Sequence, residues 1–138
     1  YKGVLIMLKK LFYPAVFTPE DDGGYSVAFP DMNGCFTQGE TIEEAYEMAF
    51  DALGLAIDFL ESEKRTIPSP SAPNKIKLNE NEFIVIIEFD MLEYQKKHNS
   101  KSVKKTLTIP QWLNEEAMAK NINFSQVLQE ALLIKCQS

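Results

Sequence analysis

The residues best placed to do chemistry lie in the last third of the chain. In Val103-Lys104-Lys105-Thr106-Leu107-Thr108-Ile109-Pro110, apolar Leu107 and Ile109 alternate with polar Lys104, Thr106 and Thr108. Alternation at period two describes a strand with two faces, one for a core and one for a partner. The polar face offers hydrogen bonds to base edges: a lysine donates to guanine acceptors, and a threonine hydroxyl pairs with donors or acceptors while its methyl touches thymine. Lys105 and Lys101 would sit against phosphates, giving affinity without sequence preference. Two short helical patterns follow, parted at Asn121-Ile122-Asn123. The second opens at Asn123-Phe124-Ser125, with Asn123 as its N-cap. Capping alone explains that residue, but free amides at a helix start can also grip a phosphate.

One strand and two short helices cannot bury an apolar face by themselves. The expected solution is a second copy, the two strands pairing as an antiparallel ribbon of a width that enters the DNA major groove. Trp112, Leu113 and Ala117 are expected in the core of that dimer. This tail resembles the ribbon-helix-helix DNA-binding domain.

The elements that must carry such a tail fill the remaining residues. The chain has 138 residues, 45% apolar and 11% aromatic, which suits one domain of ordinary size or one small domain plus a dimeric appendage. Net charge is −6, and its distribution is uneven. Residues 1–97 hold nine Lys or Arg against seventeen Asp or Glu, a net −8, whereas 98–138 hold five Lys against three Glu, a net +2. An acidic body with a basic tail implies two partners of opposite character. Cys35 and Cys136 follow nothing like a secretory signal, so reduced thiols and a cytoplasmic location are expected. No apolar run has the length of a membrane span, Leu5-Ile6-Met7-Leu8 included. The chain starts at Tyr1, and Met7 is a natural start if residues 1–6 derive from upstream.

Strands are expected at Phe12–Thr18, with a break or an edge position at Pro14, at Tyr25–Phe29 and at Cys35–Gly39. Glu20-Asp21-Asp22-Gly23-Gly24 and Asp31-Met32-Asn33-Gly34 read as turns. Thr41-Ile42-Glu43-Glu44 is a capping box, with Glu44 reaching back to the Thr41 amide. It opens a helix to about Ser62, with Ala45, Ala49, Leu53 and Ile57 among the residues of the covering face. Residues 64–81, with Pro68, Pro70 and Pro73, read as an exposed connector of polyproline character. Phe83-Ile84-Val85-Ile86-Ile87 is apolar on both faces, so an interior strand is expected. Residues 91–102 read as a solvated hinge.

Three segments carry a second resemblance: Tyr13-Pro14-Ala15-Val16, Gly24-Tyr25-Ser26-Val27-Ala28-Phe29-Pro30-Asp31, and Gly34-Cys35-Phe36-Thr37-Gln38-Gly39-Glu40-Thr41 followed by Glu43-Glu44-Ala45. Together they resemble the HicB family of antitoxins. The resemblance implies an α+β fold: a partial ribonuclease-H-like domain (β-β-β-α-β) over 1–90, a hinge at 91–102, and a ribbon-helix-helix (β-α-α) domain over 103–138. It implies a toxin partner of the HicA type, a small basic ribonuclease that cuts messenger RNA. It implies operator DNA as a second partner, a homodimer through the ribbon and a tetramer through the N-terminal domains. Asp21, Asp22, Asp31 and Asn33 are the residues expected to meet the toxin.

No enzymatic activity, cofactor or metal is expected. A ribonuclease-H-like fold raises metal-dependent cleavage, which needs carboxylates converging within about 4 Å of each ion. Asp31, Glu88 and Asp90 fall near strand ends but make no recognisable set. Cys35 is expected to be a small buried side chain, and lone His98 has no second ligand at metal-binding spacing. The competing reading is a free-standing ribbon-helix-helix transcription regulator with no toxin.

Overall fold

The computed structural model describes residues 10–136. Leu5–Leu8 and the alternative start at Met7 lie outside them. The chain divides into two compact units, Tyr1–Asn99 and Ser100–Ser138. In the first unit, β1 (Lys10–Pro19), β2 (Tyr25–Ala28) and β3 (Phe36–Gly39) precede α1 (Ile42–Ser62), β4 (Phe83–Asp90) and α2 (Met91–His98). The β-β-β-α-β order is the expected one. The four strands form an antiparallel sheet in the order β3-β2-β1-β4. The second unit contributes α3 (Gln111–Ala119) and α4 (Phe124–Cys136), so the whole is a mixed α+β chain.

Local chemistry sets the element boundaries. Glu20 and Gly24 close the β1–β2 turn through a 2.7 Å backbone hydrogen bond, and Gly23 takes φ +96°, where a side chain would be strained. The Thr41 hydroxyl accepts from the Glu44 amide at 3.1 Å. The Glu44 carboxylate reaches back as a capping box should, but to the amide of Glu40, one residue earlier than expected, at 3.2 Å. At the next helix, the Asp90 carboxylate accepts from the Leu92 amide at 3.0 Å and so caps α2.

α1 covers one face of the sheet. Ala45, Ala49, Leu53 and Ile57 are fully buried against Tyr13, Ala15, Phe17, Val27, Ile87 and Phe89. Alanines at the contact let the helix axis approach closely, and two glycines show how close. A Cβ on Gly39 would overlap the backbone of Ala45, and one on Gly54 would overlap the ring of Tyr94. Tyr94 in turn packs with Phe50 and Phe89, ring centroids 6.3 and 5.9 Å away. On the opposite face of the sheet Phe12 and Ile86 are exposed.

Four expectations change. Among the described residues β4 pairs only with β1, so it is an edge strand although it is apolar on both faces. Its second apolar face is turned away from α1, and Ile86 there is exposed. β1 is interior, yet Pro14 fits it: β4 pairs along Lys10–Phe17 while β2 pairs only from Val16 onward, so Pro14 has a neighbour on one side only. Residues 91–98 are not a hinge but a capped helix, whose Met91 and Tyr94 are buried in the first unit's core. A cut at residue 90 would therefore remove core, and the unit boundary falls at Asn99. The connector is largely exposed but pinned: the Tyr13 hydroxyl donates to the Pro68 carbonyl at 2.5 Å, the Ser71 amide donates to Asp31 at 2.9 Å, and Pro73–Lys75 form a 3-10 turn. Cys35 is buried as expected, and burial pushes its thiol up to about 11.

Gly54→Ala is expected to destabilise the chain by about 1–3 kcal/mol in urea denaturation, the cost of overpacking a filled site. In the background Tyr94→Ala, the same change should cost much less. Equal costs in both backgrounds would show that the Tyr94 ring does not set the requirement for glycine.

Candidate interaction surfaces

The tail places its expected DNA-reading residues at the surface. Lys104, Lys105, Thr106 and Thr108 are all exposed, and residues 101–110 carry no regular secondary structure. The expected strand is therefore not formed in the single chain. A strand is stabilised by a ladder, and the described residues supply no neighbour for this segment. Its apolar side is bare as well, Leu107 being 63% exposed. Trp112 and Leu113, expected in a core, are also exposed; Ala117 alone among the described tail residues is buried.

The two helices are locally well specified. α3 starts at Pro110, whose carbonyl accepts from the Asn114 amide at 3.1 Å. It stops where Asn121 turns to φ +55°, a left-handed conformation that asparagine tolerates. The Asn123 side chain accepts from the Gln126 amide at 3.1 Å, and its carbonyl accepts from the Val127 amide at 3.1 Å. Asn123 is thus the N-cap of α4, and Phe124 and Ser125 follow it at the exposed start of that helix.

The acidic residues expected to meet a toxin are not brought together. Asp21 and Asp22 sit in the β1–β2 turn, Asp31 and Asn33 in the β2–β3 turn, at opposite ends of β2. Two of them have structural tasks. Asp22 accepts from the Gly24 amide at 3.1 Å, and Asp31 holds Ser71 of the connector. The carboxylates considered for metal-dependent cleavage are likewise engaged. Glu88 pairs with Lys10 at 3.0 Å, Asp90 caps α2, and Asp31 binds Ser71.

Sequence reasoning missed a charged cluster on α1. Asp51 receives Lys97 Nζ at 3.0 Å on both carboxylate oxygens and meets His98 Nε2 at 3.0 Å. The His98 ring packs on Tyr94 with centroids 4.6 Å apart. Burial disfavours ionisation of Asp51, but hydrogen bonds from His98 and Lys97 and their charges outweigh it, holding the carboxyl below its ordinary 3.8. His98, read as a hinge residue, instead helps fasten α2 to α1. The reading of 91–98 as a hinge and the 47 positions between Asp51 and His98 together hid the pair.

These features define a protein of two units: an acidic α+β body with a helix-covered antiparallel sheet, and a small two-helix tail with bare apolar surface. A family profile described as "HicB-like antitoxin of bacterial toxin-antitoxin system" matches residues 13–131. The chain belongs to that family. It is similar to Antitoxin HicB of Escherichia coli strain K12, 48% identical over 62 residues, which are 45% of this chain and 45% of that protein. The chain thus spans less than half the length of that curated relative. The fold is similar to a solved toxin–antitoxin complex from Streptococcus pneumoniae, with TM-score 0.59 and 32% identity over 92% of this chain and 99% of that one. It is also similar to the crystal structure of antitoxin HicB3, with TM-score 0.51 and 30% identity over 91% of this chain and 97% of that one. No helix among the described residues is long and apolar enough to cross a membrane.

The cluster gives a pH signature. A group whose carboxyl titrates lower in the folded state stabilises fully above the ordinary 3.8, and that contribution is lost as pH falls through the folded value. Asp51→Asn is expected to cost about 1 kcal/mol at pH 7, measured by denaturant midpoint. The gap to the unsubstituted chain should narrow below the ordinary carboxylate range. A gap independent of pH would assign the loss to packing instead.

Proposed function

We propose that this chain is a non-enzymatic antitoxin that binds and masks a HicA-type toxin through its first unit and represses its own operon by binding DNA through its second. The observation that carries the reading is family membership over nearly the whole chain, joined to the charge split between the two units. The acidic body suits a basic protein, and the lysine-bearing tail suits DNA.

In this reading residues 103–109 become a strand when two chains meet. Pairing gives each strand its ladder, covers Leu107 and Ile109 on one side, and turns Lys104, Thr106 and Thr108 outward into the major groove. Lys105 and the amides around Asn123, Phe124 and Ser125 hold the phosphates and set register. The exposure of Leu107, Ile109, Trp112 and Leu113 in the single chain supports a ribbon-helix-helix dimer, because apolar surface of that extent calls for a partner. The first unit is read as a partial ribonuclease-H-like fold, and a tetramer would form through it. A free-standing regulator without a toxin is the second reading, supported by the same tail.

The two activities should separate. A full chain carrying Leu107→Asp places an unpaired charge in the dimer core. It should lose operator binding and repression yet still restore growth to cells expressing the toxin encoded by the neighbouring reading frame. Growth arrest despite soluble expression would favour the free-standing regulator. Within the ribbon, Thr106→Ala should relax base preference by about 1–3 kcal/mol at the contacted position. Lys105→Ala should weaken all sequences alike and flatten the salt dependence. Footprints unchanged by both substitutions would remove the ribbon as the reading surface.

A further inference from the structure

The β2–β3 turn holds a pair of residues with covalent chemistry of its own. Of the eight asparagines in the chain, Asn33 alone is followed by glycine. A backbone amide nitrogen can attack the side-chain carbonyl of a preceding asparagine and close a five-membered ring. Attack is fastest from a glycine nitrogen, because no Cβ crowds the approach.

The turn presents both reacting groups openly. Met32 and Cys35 flank the pair and are buried, whereas Asn33 and Gly34 are exposed. Three backbone hydrogen bonds close the turn, each 3.2 Å long: Phe29 amide to Cys35 carbonyl, Met32 amide to Phe29 carbonyl, and Cys35 amide to Met32 carbonyl. Among the described residues, none of the bonds that close the turn uses the Gly34 amide or the Asn33 side chain. A Cβ built on Gly34 would meet nothing within 4 Å, so the ring has room to form.

The other asparagines are less well placed. Asn123 is engaged as the cap of α4, and Asn114 lies inside α3, where the helix holds the amide that follows. Asn74, Asn79, Asn81 and Asn121 precede Lys75, Glu80, Glu82 and Ile122, whose side chains crowd the attacking nitrogen. Exposed Asn99, before the small Ser100, is the nearest competitor. Asp22-Gly23 is the carboxylate counterpart of the pair, but an ionised carboxylate is a poor electrophile, and Asp22 holds the Gly24 amide at 3.1 Å.

We propose that Asn33 is a site of spontaneous deamidation, and that its isoaspartate product loosens the β2–β3 turn. The Gly34 nitrogen gives its proton to hydroxide and bonds to the side-chain carbonyl carbon of Asn33. The bond from that carbon to the side-chain nitrogen breaks, and the nitrogen leaves as ammonia after taking a proton from water. Water then opens the ring. Attack at the side-chain carbonyl restores the backbone with an aspartate. Attack at the main-chain carbonyl leaves the chain running through the side chain, as isoaspartate. Nothing is oxidised or reduced, and water is the only co-reactant. Either product adds a carboxylate to the turn that contains Asp31, which holds the Ser71 amide at 2.9 Å. Isoaspartate also inserts a methylene between Met32 and Cys35, which the core holds in place, and the Cys35–Met32 hydrogen bond spans the insertion. Neither step depends on the function proposed above.

The full chain is incubated at mildly alkaline pH, and its peptides are followed by mass spectrometry and by labelling with an isoaspartyl methyltransferase. The peptide containing Asn33 should gain the mass of amide-to-acid exchange, and the methyl label, before any other, with Asn99 behind it. The melting temperature of the aged chain should fall by about 4–8 °C, as a modest local loss does in a domain of this size. Asn33→Gln, whose side chain would have to close a larger ring, should take no label at the turn and keep its melting temperature on ageing. Asn33→Asp, measured fresh, carries the charge without the rerouted backbone and should melt close to the fresh unsubstituted chain. Conversion at Asn99 ahead of Asn33, or no label at Asn33, would overturn the site. Label at Asn33 with an unchanged melting temperature, or an equal fall in fresh Asn33→Asp, would overturn the effect assigned to isoaspartate.

Discussion

The close approach of α1 to the sheet is the constraint on which the rest of the first unit depends. A four-stranded sheet covered by a single helix has little apolar material, so its stability comes from bringing that helix near enough to exclude water along its length. Ala45 and Ala49 allow the approach, and Gly39 and Gly54 remove the atoms that would prevent it. Two consequences follow. The ring of Tyr94 can lie where a Cβ on Gly54 would otherwise sit, which makes α2 part of the core. α1 also keeps a side that the sheet never touches, and on that side Leu55 and Phe59 are exposed.

Structural and interaction roles divide along the same line. Several acids of the body are committed to holding it together: Asp22 to its turn, Asp31 to the connector, Asp90 to α2, and Asp51 to Lys97 and His98. A net charge of −8 over residues 1–97 therefore does not mean that every acid faces a partner.

The tail obeys a different constraint. Its helices are specified by local signals, Pro110 and Asn123 at their starts and Asn121 between them. Its strand has no such local signal that can act alone. Backbone donors and acceptors in an isolated extended segment are satisfied by water, and only a neighbouring strand converts alternation of side chains into a ladder. The alternation at Lys104–Ile109 therefore forms no strand in the single chain.

Several patterns with short-range causes were legible in the sequence, although the helix that Asp90 caps locally was read as a hinge. Thr41 opens α1, the apolar period of that helix names its buried face, and Gly23 marks the first turn. Each of these depends on residues within a few positions of one another. The choices left to tertiary structure involve distant partners. β4 reads as interior from its own residues, yet it lies at an edge because β1, about seventy residues earlier in the chain, has β2 on its other side. His98 reads as a solvated hinge residue, yet it is fixed by Asp51, 47 positions away. Family resemblance was readable from Tyr13–Val16, Gly24–Asp31 and Gly34–Ala45. The exposed apolar surface at Leu55 and Phe59 was not, because a surface exists only once the helix has been laid on its sheet and one side has been used up.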